Sequence, residues 1–381
     1  MQVAAEHRSE LARTPLAIRR VDAIPLALPL TKPVKMAAET VTHARNLLVR
    51  IEAQDGTIGW GEAASAPTMT GDTIAGLVAA VRDHLAPVLI GGDVWMRPAL
   101  LKRMRTVLYG NTGAHSAVEM ALLDLAARSA GVSVIDLIGG PVRPVVAPMW
   151  LVGNATPEQD VAEAEARKAA GIRFFKLKVG VKPLTTEVAA AHAVRGALGV
   201  EMPLCADANC GFSHEAAQRF LSLTADAGLL FLEQPFAPDD MSGLAALARA
   251  TPVAIGADEG IHSLHDIEGH AGAGARGVSL KLIKLGGFSG ALAAAALCRR
   301  LGLAMNIASK MSESSLASAA TVHLACAVDN VDWGVSLTHF YLAEDIVRRP
   351  LAMANGLVAL PPGAGLGVEV DEAAVARLRA D

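Results

Sequence analysis

The chain has 381 residues, more than one ordinary domain holds, with 34 Lys and Arg against 38 Asp and Glu and aromatic side chains at 4%. A net charge of −4 and so few aromatics offer neither a basic footprint nor a stacking platform for nucleic acid. Hydrophobic residues make up 52%, yet no run approaches the roughly 20 apolar residues of a membrane span, so the composition reads as a soluble protein with a large core.

The first residues, with Glu6, Arg8, Glu10 and Arg13, contain no apolar leader, so the expected compartment is the cytoplasm. Cys205, Cys210, Cys298 and Cys326 lack zinc-like spacing and are expected to be reduced there. From Ile18, alternating apolar residues lead into a predicted hairpin, Leu47 to Glu52 and Ile58 to Glu62, joined by Asp55-Gly56. A Gly/Pro/Thr-rich loop from Ala64 to Asp72 gives way to helical periods. The clearest is predicted from Ser116 to Ser129, with Ser116 and Glu119 as a capping box and Gly131 as the stop.

From Val145 strand and helix patterns alternate. Helices are predicted behind Thr156, Thr185, Ser213, Asp240, Ser263, Ser289 and Ser314, and strand ends near Gly153, Lys178, Asp207, Glu233, Asp258, Lys281, Ser309 and Ser336. Eight strand ends at intervals of 23 to 29 residues indicate a closed parallel barrel. The expected layout is an N-terminal extension over 1–15, an α+β capping domain over 16–144, a catalytic barrel over 145–349 and a segment over 350–381 that returns to the cap. In such barrels chemistry sits at the C-terminal strand ends.

Those ends carry charge. Three apolar runs close on Asp207, Glu233 and Asp258, spaced 26 and 25 residues apart; a fourth carries Lys176 and Lys178 on one face, and a fifth ends at Lys281. One acid or lysine at a strand end is as readily half of a buried ion pair as a functional group. Six on one rim are not, since charges are seldom buried without a role and uncompensated acids repel. A divalent cation relieves that repulsion; an all-oxygen donor set favours Mg²⁺, and Mn²⁺ also fits. Such a site can hold a substrate carboxylate and absorb the charge of an enediolate when the α-proton leaves. A lysine takes that proton, its affinity lowered by a neighbouring cation, with Lys176 the candidate for depressing Lys178.

Several stretches together resemble the enolase superfamily, in its muconate-lactonizing-enzyme subgroup: Asp55-Gly56 through Gly59-Trp60-Gly61-Glu62, Ser116 to Glu119 with Leu122-Leu123-Asp124, Lys176-Leu177-Lys178, Asp207-Ala208-Asn209, Glu233-Gln234-Pro235, Ala257-Asp258-Glu259, and Lys281 before Gly286-Gly287. The resemblance implies a modified (β/α)7β TIM barrel with an α+β capping domain, and a homo-oligomer. It implies Asp207, Glu233 and Asp258 as metal ligands, Lys178 and Lys281 as acid/base lysines, and Lys176 and Asn209 as supporting residues. Glu259 joins the substrate-side candidates. Glu313 sits where the subgroup often has a glutamate after the seventh strand. Lys310 stands beside Glu313 in place of a usually uncharged residue, read as a seat for a second anion on the substrate, as a partner of Glu313, or as a solvated loop lysine. Trp150 is either core or substrate wall. His339 is the histidine expected nearest a pocket, and Gly272, Gly274 and Gly277 match a dinucleotide pattern in the wrong order of helix and strand.

The expected function is an Mg²⁺-dependent isomerase of a small carboxylate, muconate cycloisomerase-like. The alternatives are a racemase or epimerase of an N-acyl amino acid, proline or betaine, a hydroxy-acid or hydroxyproline dehydratase, and a non-catalytic barrel. Gly334 to His339 lacks the Asp-x-Asp of dipeptide epimerases, which disfavours that activity. Specificity is expected from the capping loops Thr31 to Thr42 and Ala64 to Asp72.

Overall fold

A computed structural model describes residues 14–35, 40–153 and 155–380. Most of the expected N-terminal extension, and the centre of the Thr31 to Thr42 loop, therefore lie outside the described residues. Among those described, no helix is long and apolar enough to cross a membrane.

Strands β1 (Ile18–Lys35), β2 (Thr40–Ala53) and β3 (Ile58–Ala64) form an antiparallel sheet in that order. The Asp55-Gly56 turn joins β2 to β3, with Gly56 at φ +87° and the Thr57 amide donating to Asp55 Oδ1 at 2.8 Å. A helix, Thr112–Ala130, lies directly on β3. Gly59 and Gly61 permit that approach: a Cβ on either would overlap the carbonyl of Ala121 or Ala117. The helix starts four residues before the predicted capping box, behind Asn111 at φ +46°, and stops as expected at Gly131, φ +68°. Ser116 and Glu119 are interior, and the Glu119 carboxylate instead accepts from the amide (3.1 Å) and hydroxyl of Ser289 on the barrel.

After β4 (Val145–Val146) come eight parallel strands: β5 (Trp150–Val152), β6 (Phe175–Lys178), β7 (Leu204–Asp207), β8 (Phe231–Glu233), β9 (Ala254–Ala257), β10 (Gly277–Leu280), β11 (Ala304–Ala308) and β12 (Val335–Ser336). They pair in sequence order, and a bridge from Pro148 to Val335, with the Met149 amide on the Val335 carbonyl at 2.8 Å, closes the ring. Every predicted strand end falls within one residue of the observed end, because short apolar runs stopped by charge are how doubly buried parallel strands read. A helix follows each of the first seven, giving the (β/α)7β barrel. Thr156, Ser213, Asp240, Ser263 and Ser314 cap their helices as expected. Thr185 and Ser289 do not: those helices begin at Leu184 and Phe288.

The final segment pairs β13 (Val358–Ala359) with β4 and then runs back along the cap. The Leu366 amide donates to Asp124 Oδ1 at 2.8 Å, Arg128 Nη2 to the Val368 carbonyl at 2.9 Å, and the Ala380 amide to the Pro25 carbonyl at 2.9 Å. Asp124 Oδ2 also accepts from the Trp60 amide at 2.9 Å, so one buried carboxylate ties the hairpin, its helix and the returning segment. Because Gly61 abuts helix backbone rather than a movable side chain, Gly61→Ala is expected to cost about 3 kcal/mol of stability or more. Urea denaturation with an unchanged midpoint would show that the hairpin and helix are not packed as described.

Candidate active site

Parallel pairing sets Lys178 beside Asp207 and Asp207 beside Glu233, so a lysine and two acids share one level at the C-terminal ends of adjacent strands. Asp258 follows β9, and Lys281 follows β10, four strands round the ring from β6. All six predicted residues, Lys176, Lys178, Asp207, Glu233, Asp258 and Lys281, line one cavity of about 190 Å³. The turns beyond β7 and β8 hold non-glycine residues at positive φ: Asn209 (+41°), Cys210 (+65°) and Gln234 (+38°). Such conformations persist only where surrounding bonds impose them. Here the Cys210 amide donates to the Gln234 carbonyl at 2.8 Å, and Gln234 Oε1 accepts from the amides of Asp258 (2.8 Å) and Gly260 (3.2 Å).

Each acid is turned onto lysine. Lys178 Nζ lies 2.6 Å from Asp207 Oδ2 and 2.7 Å from Asn209 Oδ1; Lys176 pairs with Glu233 and lies 3.9 Å from Asp207; Lys281 pairs with Asp258. Burial pushes the Glu233 carboxyl up, and the charges of Asp207 and Asp258 push it further. Asp258 goes the other way, held far below the usual carboxylate range by Lys281 and Lys284 despite its burial. Lys176 and Lys281 are raised, because the carboxylates outweigh desolvation.

Three contributors were missed by the sequence reading. Lys284, fully buried, donates to Asp258 Oδ1 at 2.6 Å and to the Ser279 carbonyl at 2.9 Å. Its signal was available: it is the one charge in Leu282-Ile283-Lys284-Leu285. Ser279 donates to Glu233 Oε1 at 2.9 Å, and Asn306, 3.2 Å from the Ser279 hydroxyl, lines the cavity. Neither stands out in a strand sequence.

Among the supporting candidates, Asn209 and Glu259 line the cavity and are joined, Asn209 Nδ2 to Glu259 Oε1, at 2.8 Å; burial and the Asp258 charge push Glu259 up to about 7. Lys310 also lines the cavity and is 6% exposed, which rules out the solvated-loop reading. Glu313 is buried behind that wall, pushed up to about 8 by desolvation and by Glu62. Trp150 is core: it is 4% exposed, packs on Phe340 and Tyr341, and donates to Glu163 at 3.0 Å without lining the cavity. His339 is buried against Phe340 with Nε2 3.0 Å from the Leu351 carbonyl, and does not line it either. Thr68 and Met69 do, from the second capping loop.

As placed, no group of three or more His, Cys, Asp or Glu among the described residues is drawn together closely enough to hold a metal ion. The donor set nevertheless fits one. Asp207, Glu233 and Asp258 supply only oxygen, close adjacent strands and face one cavity, and the charges of Asp207 and Asp258 raise the proton affinity of Glu233, an electrostatic strain that a hard divalent cation removes.

Known proteins place this geometry in a family. Residues 20–139 match the mandelate racemase / muconate lactonizing enzyme N-terminal domain, and residues 159–374 match the enolase C-terminal domain-like family. The chain is 32% identical over 356 residues to an L-Ala-D/L-Glu epimerase of Bacillus subtilis, covering 93% of this chain and 97% of that one. It is 32% identical over 371 residues to muconate cycloisomerase 1 of Rhodococcus opacus, covering 95% and 98%. The crystal structure of 2-chloromuconate cycloisomerase from Rhodococcus opacus 1CP superposes with a TM-score of 0.91 at 31% identity, covering 96% of this chain and all of that one. The chain thus belongs to the enolase superfamily, in the muconate-lactonizing-enzyme subgroup, and is one of its isomerases.

The raised acids set a pH dependence. Glu62 is pushed up to about 7, chiefly by burial, and Glu313 to about 8. Each holds its proton more tightly folded than unfolded, so their contribution to stability is present at low pH and lost as pH rises through those values. The melting temperature of the metal-free protein is expected to be lower at about pH 8.5 than at about pH 6.5, and Glu313→Gln should narrow the difference. Equal melting temperatures in the unaltered protein would contradict the burial of both carboxyls.

Proposed function

We propose that this isomerase moves a proton at the α-carbon of a small dicarboxylate, in a reaction of the muconate cycloisomerase type, with a divalent cation, Mg²⁺ or else Mn²⁺, as cofactor. The observation that carries the reading is the placement of Lys178 and Lys281 half a ring apart, with the carboxylates Asp207, Glu233 and Asp258 between them around one cavity. Asp207, Glu233 and Asp258 would hold the cation. When bound, it would anchor the substrate carboxylate, balance the charge developing there, and relieve Lys281 of the acids that raise its proton affinity.

This chain's own residues then do the rest. In the lactone-forming direction one substrate carboxylate adds an oxygen to the β-carbon of the double bond conjugated with the other carboxylate, and a lysine ammonium delivers a proton to the carbon α to that other carboxylate; the reverse removes that proton. The two lysines address opposite faces of that carbon, which also suits a racemase, the alternative reading. Lys310 favours the dicarboxylate. Among the described residues lining the wall beyond β11 and β12, Ser309, Met311, Ser336 and Thr338 are neutral and Lys310 brings positive charge, so the end of the substrate remote from the acids meets a cation. Ser279, Lys284 and Gln234 position the acids and do not touch the cavity's contents. A homo-oligomer in the cytoplasm accompanies the reading.

With Mg²⁺ and cis,cis-muconate, Lys178→Ala is expected to lower kcat by about 10²–10⁴-fold while folding normally. Undiminished turnover would remove Lys178 from the chemistry. Glu233→Gln should weaken Mg²⁺ binding in titration calorimetry by at least about tenfold; an unaltered affinity would take Glu233 out of the ligand set.

A further inference from the structure

We infer that Glu62, a fully buried carboxylate of the cap that does not line the cavity, is the positioning residue for the cavity wall at Lys310 and Met311. Glu62 stands on β3 and reaches the turn after β11. Its Oε1 accepts from the Ser314 amide at 3.0 Å and from Asn46 Nδ2 at 2.6 Å; its Oε2 accepts from the Ser314 hydroxyl and from the Ala317 amide at 3.3 Å. Asn46, on β2 and equally buried, gives its other amide hydrogen to the Ser312 carbonyl at 3.0 Å. Two cap side chains thus hold residues 312, 314 and 317 of the barrel, across 252 residues of chain between Glu62 and Ser314.

The held segment is short and constrained. Ser312 sits at φ +67°, a conformation a serine keeps only when its surroundings impose it, and Ser314 caps the helix Ser315–Ala327. The side chain at that helix N-terminus meets unsatisfied amides, and a Glu carboxyl offers two oxygens to the four donors there, where a Gln amide would offer one. Lys310 and Met311, one and two residues before Ser312, face the cavity, and the Thr338 hydroxyl fixes the Lys310 carbonyl at 2.7 Å. The turn is thus anchored on one side by Thr338 and on the other by Asn46 and Glu62. The cap therefore acts on substrate choice in two ways: through Thr68 and Met69, which touch the cavity, and through Glu62, which sets the wall opposite the acids. This inference rests on reading Lys310 as the seat of the substrate's second carboxylate.

The test uses Glu62→Gln in the full chain with Mg²⁺, reading hydrogen–deuterium exchange together with calorimetric binding of adipate and of hexanoate as unreactive dicarboxylate and monocarboxylate probes. The amides of 311–317 are expected to exchange at least about tenfold faster, with β7 to β9 unchanged. Adipate should bind about tenfold more weakly than to the unaltered protein, and hexanoate equally well. Ser314→Ala, which leaves the carboxylate in place and removes one donor, should shift the same amides by a smaller factor, and stands in if Glu62→Gln does not fold. Unchanged exchange at 311–317 overturns the inference. So does faster exchange with both affinities intact, which would make the contact structural only. If the unaltered protein binds adipate no better than hexanoate, the dicarboxylate reading is what fails, and exchange at 311–317 still decides whether Glu62 holds the wall.

Discussion

Buried carboxylates must be balanced, and the mouth of this barrel is built around that need. An acid left unpaired there would cost several kcal/mol, so three acids require cations aimed at them from neighbouring elements. Register supplies the aim: pairing Lys178 with Asp207 and Asp207 with Glu233 on adjacent strands leaves no freedom to slide one strand past another without stranding a charge. Lys284 has no route to solvent, and it spends its donors on Asp258 and Ser279, locking the turn after β10 against that after β9. Ser279 donates to the Glu233 oxygen that Lys176 leaves, and Gln234 accepts from the backbone amides of Asp258 and Gly260. The outcome is a set of lysines and acids held in opposition around one cavity.

The same economy of buried acids joins the cap to the barrel. Asp124 binds the returning C-terminal segment, Glu119 binds Ser289 at the start of the helix after β10, and Glu62 binds Ser314 at the start of the helix after β11. Two of the three reach helix N-termini, where amides lack internal partners. Gly59 and Gly61 bring the hairpin close enough to the helix Thr112–Ala130 for Trp60 to reach Asp124 through its backbone. The cap stretches that resemble the family, Gly59 to Glu62 and Ser116 to Asp124, thus carry attachment, and among the described residues of the cap it is the loop tip with Thr68 and Met69 that meets the cavity. Function at the barrel mouth depends on this seam, because the seam decides where the mouth's far wall stands.

Much of this was legible in the sequence for a physical reason. A strand buried on both faces is mostly apolar until its open end, so apolar runs broken by Asp207, Glu233, Asp258 or Lys281 mark both the strand and the chemistry. The Asp55-Gly56 turn was readable because only a residue tolerant of positive φ fits it. The start of the helix at Thr112 was not, since Ser116 and Glu119 imitate a cap while Glu119 is committed to Ser289, 170 residues away. Pairings at that range leave no local trace. Lys284 was half hidden: three residues after Lys281 it resembled an ordinary lysine of a turn, and its apolar neighbours Leu282, Ile283 and Leu285 were the local sign of the burial that makes it a partner of Asp258. Trp150 could be read two ways until Phe340 and Tyr341, from the far end of the barrel, were seen to close over it.

The central claim is that a lysine transfers a solvent-derived proton at the carbon next to an anchored carboxylate. Turnover of cis,cis-muconate in D₂O with Mg²⁺, followed by NMR of the product, tests it most directly. The account requires one deuterium at the α-carbon, on one face only, and no turnover once the metal is chelated. A product formed without deuterium at that carbon would contradict it.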